Sequence, residues 1–310
     1  VTLNRRELLL ALVASACSRA EKSGETKVAS SVVTANERAN APNVRTCEGV
    51  ESVTWTTSGV SSRAVILRPK NMQNARVPVL VALHGRGEAI KGPERGALGW
   101  PNDYALVKAL DRVCAPPLAT EDFEGLVEEA HLDEINAELA AHPWRGLVVV
   151  CPYLPDLDLR HDSEILDYGK FVASVLLPRV VREMPAMRGA ESTGIDGVSL
   201  GGAVALRAGL AAPDVFGAVG ALQPAIDDAR VSDLVDLARA ARAKNPTLAL
   251  RVTTSHEDYY RDVVRSLDAA WTKANVAHDF AELPGPHDYI FNRGAGAYEM
   301  LMWHARVLRS

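Results

Sequence analysis

The chain has only four cysteines in 310 residues, at positions 17, 47, 114 and 151, and none forms a Cys-x-x-Cys pair. That excludes a zinc knuckle and a thioredoxin-type redox centre. Nor do histidines and aspartates cluster at ligand spacing, so the sequence implies no metal and no cofactor. Runs of basic residues interleaved with aromatics are lacking too. With a net charge of −5 and a pI near 5.9, this argues against a nucleic-acid partner. The longest apolar stretch near the N-terminus, Leu8 to Val13, is too short to span a bilayer as a permanent helix. Beyond residue 46 there is no internal repeat and no low-complexity block. What is present is a hydrophobic content of 47%, enough for one large α/β domain with a full core.

The first residues read as an address. Arg5 and Arg6 precede Leu8–Val13, and small residues then lead to Cys17, which is the order of a signal peptide. The ending Ala14-Ser15-Ala16-Cys17 resembles a bacterial lipobox, with Cys17 as the lipidated residue, and "NRRELL" resembles a twin-arginine export signal. Ala14 departs from the usual leucine. The expectation is an exported lipoprotein, periplasmic or on the surface of a bacterium, whose only membrane contact is its N-terminal lipid. Residues 18–46, rich in Ser, Ala, Glu and Lys, read as a tether. The catalytic domain is then 47–310. A Cys47–Cys114 bridge is compatible with the sequence, although spacing alone does not select a pairing among Cys47, Cys114 and Cys151.

Within 47–310 the periodicity predicts an antiparallel hairpin, Val50–Ser58 and Ser61–Pro69, turned at Ser58-Gly59. Continuous apolar runs at 77–85 and 146–156 predict buried central strands. Weaker runs of the same kind lie at 192–196, 217–225, 247–255 and 278–283. Helical patterns cover 103–112, 121–140, 165–187, 228–243, 260–275 and 297–308. Strands alternating with helices imply a mostly parallel sheet covered on both faces. The connection over 86–145 is long for a crossover and is read as an insertion, either with part of it covering a site or as a plain surface insertion.

The stretch "GIDGVSLGG" offers the chemistry. In a G-x-S-x-G elbow, a serine sits at a strained strand-to-helix turn, and its neighbours two positions away must lack side chains; here these are Ser199, Gly197 and Gly201. Chance supplies such a motif in a chain of this size about one time in ten, so partners must decide. A serine hydroxyl needs a base, usually an imidazole oriented by a buried carboxylate. His287, in "PGPHDY" after the last strand, has the right position in chain order. His131, His142, His161, His278 and His304 read as surface or packing residues. The acid is sought in "SHEDYY": Asp258 first, Glu257 second, with Asp227 and Asp228 after the preceding strand as fallback. Main-chain N–H groups of Leu200 and of Arg86, in "HGRGE", are the candidate oxyanion donors.

With these residues set out, the chain from Val77 onward resembles the esterase D branch of the α/β-hydrolases, the group of S-formylglutathione hydrolase, feruloyl and acetyl-xylan esterases, enterochelin esterase and the antigen 85 mycolyltransferases. The blocks that carry the resemblance are "LHG" at 83–85, "YGKFVASVLLPRV" with Tyr168 and Pro178, "GIDGVSLGG", "SHEDYY" and "LPGPHDYIF". It implies an α/β-hydrolase fold with Ser199 as nucleophile, Asp258 as acid and His287 as base. The implied activity is hydrolysis of a carboxylic ester of a small molecule or glycan through an acyl-enzyme. Transfer of the acyl group to a sugar or alcohol is the neighbouring alternative, and a non-catalytic surface binding protein on the same fold is the distant one.

Overall fold

A computed structural model describes residues 49–309 apart from 60, 73 and 74. The expected signal peptide with Cys17, the expected tether and Cys47 lie outside the described residues. The chain divides between residues 44 and 45 into two units, and every described residue belongs to the second. Eight strands form one sheet: β1 (Val50–Thr56), β2 (Arg63–Pro69), β3 (Val79–Leu83), β4 (Val148–Pro152), β5 (Thr193–Gly197), β6 (Ala218–Leu222), β7 (Ala249–Glu257) and β8 (Asp279–Pro286). Their order is β1-β2-β4-β3-β5-β6-β7-β8. β1 pairs antiparallel with β2, and β2 with β4; every later pairing is parallel. Strands β3, β4, β5 and β6 are buried along their whole length, the consequence of helices on both faces.

The helices are α1 (Arg86–Ala89), α2 (Pro93–Gly96), α3 (Leu106–Val113), α4 (Glu129–Ala141), α5 (Asp162–Phe171), α6 (Leu177–Glu183), α7 (Leu200–Ala211), α8 (Asp228–Lys244), α9 (Arg261–Lys273), α10 (Tyr289–Phe291) and α11 (Ala297–Val307). Two large apolar clusters fill the space on either side of the sheet. One holds Ile195, Val204, Leu206, Val252 and Trp271, the other Val149, Trp100, Leu301 and Trp303.

Three expectations are corrected in detail. The helix expected over 121–140 begins only at Glu129, because Glu124 (φ 55°) and Gly125 (φ 79°) turn the chain into left-handed backbone after a short 3₁₀ turn. The helix expected over 165–187 contains a π turn at Val172–Leu176 between α5 and α6, just before Pro178, whose nitrogen has no hydrogen to donate. Strand β8, expected to end at residue 283, continues to Pro286. Among the described residues, no helix is long and apolar enough to cross a membrane. Cys114 is disulfide-bonded, whereas Cys151 is a free, buried thiol.

Beneath the site, the sheet contains a buried charged cluster. Arg251 on β7 donates to Asp196 on β5 at 2.6 Å, and His304 Nε2 donates to the same oxygen at 3.0 Å. The other Asp196 oxygen accepts the Gly197 N–H at 2.7 Å, so the carboxylate steadies the residue that opens the G-x-S-x-G turn. All three side chains are essentially inaccessible to water. Burial lowers the His304 pKa, which keeps this ring neutral.

Candidate active site

The loops after β3, β5, β7 and β8 all emerge at the carboxyl ends of parallel strands, where open α/β sheets gather ligands. Ser199 sits between β5 and α7 with φ 56° and ψ −117°, a sparsely populated conformation that costs about 1–3 kcal/mol for a residue with a side chain. The surroundings hold it there: Ser199 N–H donates to Leu222 O at 3.0 Å, and its carbonyl accepts from Ala203 and Ala225 N–H, each at 3.0 Å. The elbow glycines are demanded by close approach. A Cβ on Gly201 would lie 2.3 Å from Leu83 O, and one on Gly197 would lie 2.4 Å from the Gly201 carbonyl carbon. Both obstacles are backbone and cannot swing aside.

His287 follows β8. Opposite β7 the register of β8 slips by one residue between Leu283 and Pro286, where Gly285 adopts φ 121°. Such a bulge re-aims the residue that follows it. His287 Nδ1 lies 2.7 Å from Asp258 Oδ1. An ionised carboxylate only accepts, so Nδ1 carries the hydrogen and Nε2 keeps its lone pair. The ring packs against Tyr259 (centroids 4.4 Å apart, tilted) and meets Tyr260 edge-on (5.5 Å). Tyr259 Oη also donates to His287 O at 2.9 Å. Asp258 is itself tied down by Thr254 Oγ1 at 2.7 Å and Tyr260 N–H at 3.0 Å, and its side chain is fully buried.

Of the acid candidates, Asp258 alone reaches the imidazole. Glu257 is exposed at the end of β7. Asp227 caps α8 by accepting Arg230 N–H at 3.1 Å, and Asp228 lies in the first turn of that helix. The other histidines have different partners. His131 contacts Glu299, His278 bonds Asp268 at 2.9 Å, and His304 belongs to the buried cluster beneath the sheet.

Ser199, Leu200, Arg86 and His287 line one cleft of about 320 Å³, together with Gly85, Gly87, Glu88, Tyr104, Ala225, Tyr259, Tyr260 and Tyr289. Arg86 and Leu200 are the first residues of α1 and α7, positions whose N–H groups have no carbonyl one turn earlier within the helix. Both residues line the same cleft, where N–H groups at helix starts suit a developing negative charge. The Arg86 side chain is engaged elsewhere, in an ion pair with Asp156 at 2.7 Å. No hydrogen bond joins the Ser199 hydroxyl to His287 among the described residues. Such contacts commonly tighten only when substrate is bound.

Sequence reasoning missed several residues that shape this cleft. His84 donates from Nδ1 to Gly85 O at 2.9 Å and accepts Leu154 N–H on Nε2 at 3.0 Å. Burial lowers its pKa to about 4, so the ring stays neutral and holds the turn before Arg86. Gln223, at φ 43°, bridges Ser255 Oγ (2.6 Å) and Pro286 O (3.0 Å) and so anchors the residue before His287. Glu88, Tyr104 and Tyr289 form a third group. The insertion over 86–145 therefore contributes directly to the cleft through Arg86, Gly87, Glu88 and Tyr104. Among the described residues no group of acidic, histidine and cysteine side chains is arranged to hold a metal ion.

Residues 159–306 match the family model described as "Putative esterase". No curated protein sequence matches the chain. Solved structures do. A ferulic acid esterase superposes with TM-score 0.63 at 18% identity, covering 84% of this chain and 99% of its own. S-formylglutathione hydrolase from Staphylococcus aureus gives 0.57 at 14%, covering 84% and 98%. The enterobactin esterase of Shigella flexneri gives 0.53 at 18%, covering 87% of this chain and 61% of that one. At such identities the superpositions establish the α/β-hydrolase fold, and the family match covers the stretch that holds Ser199, Asp258 and His287. Residues 159–306, just under half of the chain, are thus similar to that esterase family, and the described chain has the α/β-hydrolase fold.

Proposed function

We infer that the chain hydrolyses esters through Ser199, His287 and Asp258, by way of an acyl-enzyme. Nε2 of His287 removes the Ser199 proton as Oγ bonds to the ester carbon, and the carbonyl electrons move onto oxygen. The N–H groups of Arg86 and Leu200 stabilise that oxyanion, while Asp258 holds the imidazolium it faces. Collapse expels the alcohol, which takes the proton from His287. Water then repeats the sequence on the acyl-enzyme, returning Ser199 and releasing the acid. The single observation that carries this reading is the 2.7 Å bond from His287 to buried Asp258 on the wall of the cleft that holds strained Ser199.

The names of the similar structures point to different esters, of ferulic acid, S-formylglutathione and enterobactin. What they share is a small-molecule ester or thioester, and that is the substrate class proposed here. Export and lipidation at Cys17 are proposed from the order of Arg5-Arg6, Leu8–Val13 and Ala14–Cys17. Labelled palmitate should enter the full chain and fail to enter Cys17→Ser, and equal incorporation removes the proposal. For the chemistry, a fluorophosphonate probe should label the wild type and leave Ser199→Ala unlabelled, with turnover of a chromogenic ester panel lost in parallel. Undiminished labelling of folded Ser199→Ala refutes the assignment.

A further inference from the structure

The turn that bears the Arg86 donor follows β3, and the loop that bears His287 follows β8, with β5, β6 and β7 between them in the sheet. Sheet hydrogen bonds therefore do not set the distance between donor and base directly. A buried side chain spans it. Glu88, in α1, is 1% exposed. One of its oxygens accepts Tyr289 Oη at 2.6 Å and Lys91 Nζ at 3.2 Å, while the other accepts the Tyr104 phenol in close contact. Tyr104 Oη in turn accepts the Gly85 N–H at 3.2 Å. A continuous path thus runs from Gly85, which precedes the oxyanion donor, through Tyr104 and Glu88 to Tyr289, two residues beyond the base.

Two further observations show that this path is built in. Gly99 makes room for it, since a Cβ there would lie 2.6 Å from Glu88 Cγ and 3.0 Å from His84 Cβ. Both phenols are also held in the protonated form: burial raises the pKa of Tyr104 and of Tyr289, and the Glu88 carboxylate raises both further. Their hydrogens are engaged by Glu88 and do not compete for the oxyanion. The Glu88 charge, which by itself opposes negative charge in the cleft, is only partly compensated by Lys91, which it shares with Asp103 at 2.9 Å.

We propose that Glu88 is a positioning residue that, on the esterase reading above, sets the oxyanion-hole turn against the base loop through its bond to Tyr289. The test is Tyr289→Phe in the full chain, with kcat taken per site titrated by a fluorophosphonate so that a change in folded fraction does not count. The substitution keeps the ring against Tyr104 and removes the hydroxyl, with its bond to Glu88 and the one it accepts from Lys91 Nζ at 3.2 Å, both of which cross the cleft. Expected are a kcat lowered about tenfold, the scale of a misplacement well under 1 Å, with KM within about twofold and an unchanged melting temperature. The rate of fluorophosphonate labelling should fall by the same factor, because that probe also needs the donors and the base in register. Glu88→Gln, which keeps one acceptor but loses the charge, should shift kcat in the same direction. Wild-type kcat and labelling rate in Tyr289→Phe overturn the proposal while leaving the esterase reading intact. A wild type that is neither labelled nor active overturns both.

Discussion

Acid should destabilise this protein through His84, a histidine that takes no proton from substrate. The ring is buried, between Gly85 O and Leu154 N–H, and desolvation lowers its pKa from 6.5 to about 4. Gly85 O and Glu88 partly oppose the shift, with Asp103 adding slightly to that opposition and Lys91 reinforcing the shift. In the unfolded chain the same ring titrates near 6.5. Because the folded value is the lower one, the unfolded state binds the proton first as pH falls, and stability is lost between the two values. Relative to pH 8 the loss from this single group is about 2 kcal/mol at pH 5 and about 3 kcal/mol at pH 4, levelling off below. Urea unfolding at pH 8 and pH 5 measures it, with His84→Asn as reference, since the Asn amide can still donate to Gly85 O and does not titrate. His304, whose pKa burial also lowers, contributes with the same sign to both proteins and cancels in the comparison. The wild type should lose about 2 kcal/mol more than the variant. Parallel losses in the two would refute the reasoning.

Two other substitutions probe the carboxylates. Asp258→Asn puts an amide donor in reach of Nδ1, favouring the tautomer whose Nε2 is already protonated, so kcat should fall by about 10⁴ with the fold retained. A loss under about tenfold in steady-state kinetics would mean that Asp258 does not orient the base. Arg251→Met strands Asp196 as a buried charge beside His304, and unfolding free energy should drop by about 3–5 kcal/mol. A change below about 1 kcal/mol in urea titration would show that His304 and the Gly197 N–H suffice.

What could be read from the chain were features whose cause is local. The β1–β2 hairpin shows in alternation and a Ser-Gly turn, the central strands in continuous apolar runs, and the elbow in the spacing of Gly197, Ser199 and Gly201. The break before α4 was missed because it depends on left-handed backbone at Glu124 and Gly125, where a charged residue hid the turn. Sequence order favoured Asp258 over Glu257 without deciding between them. The decision came from strand geometry: Glu257 is still part of β7 and exposed, while the next residue turns inward to Thr254 and His287.

The sequence by itself determined the layered α/β architecture and the serine at its turn, because periodicity and glycine sterics act over a few residues. Only the tertiary structure decided which carboxylate meets the imidazole and which side chains frame the cleft. Glu88 and Tyr289 are 201 residues apart in the chain and 2.6 Å apart in space. Neither has meaning for the other until five strands of a twisted sheet bring their loops to the same edge, where burial turns an ordinary glutamate and a tyrosine into a fixed bond.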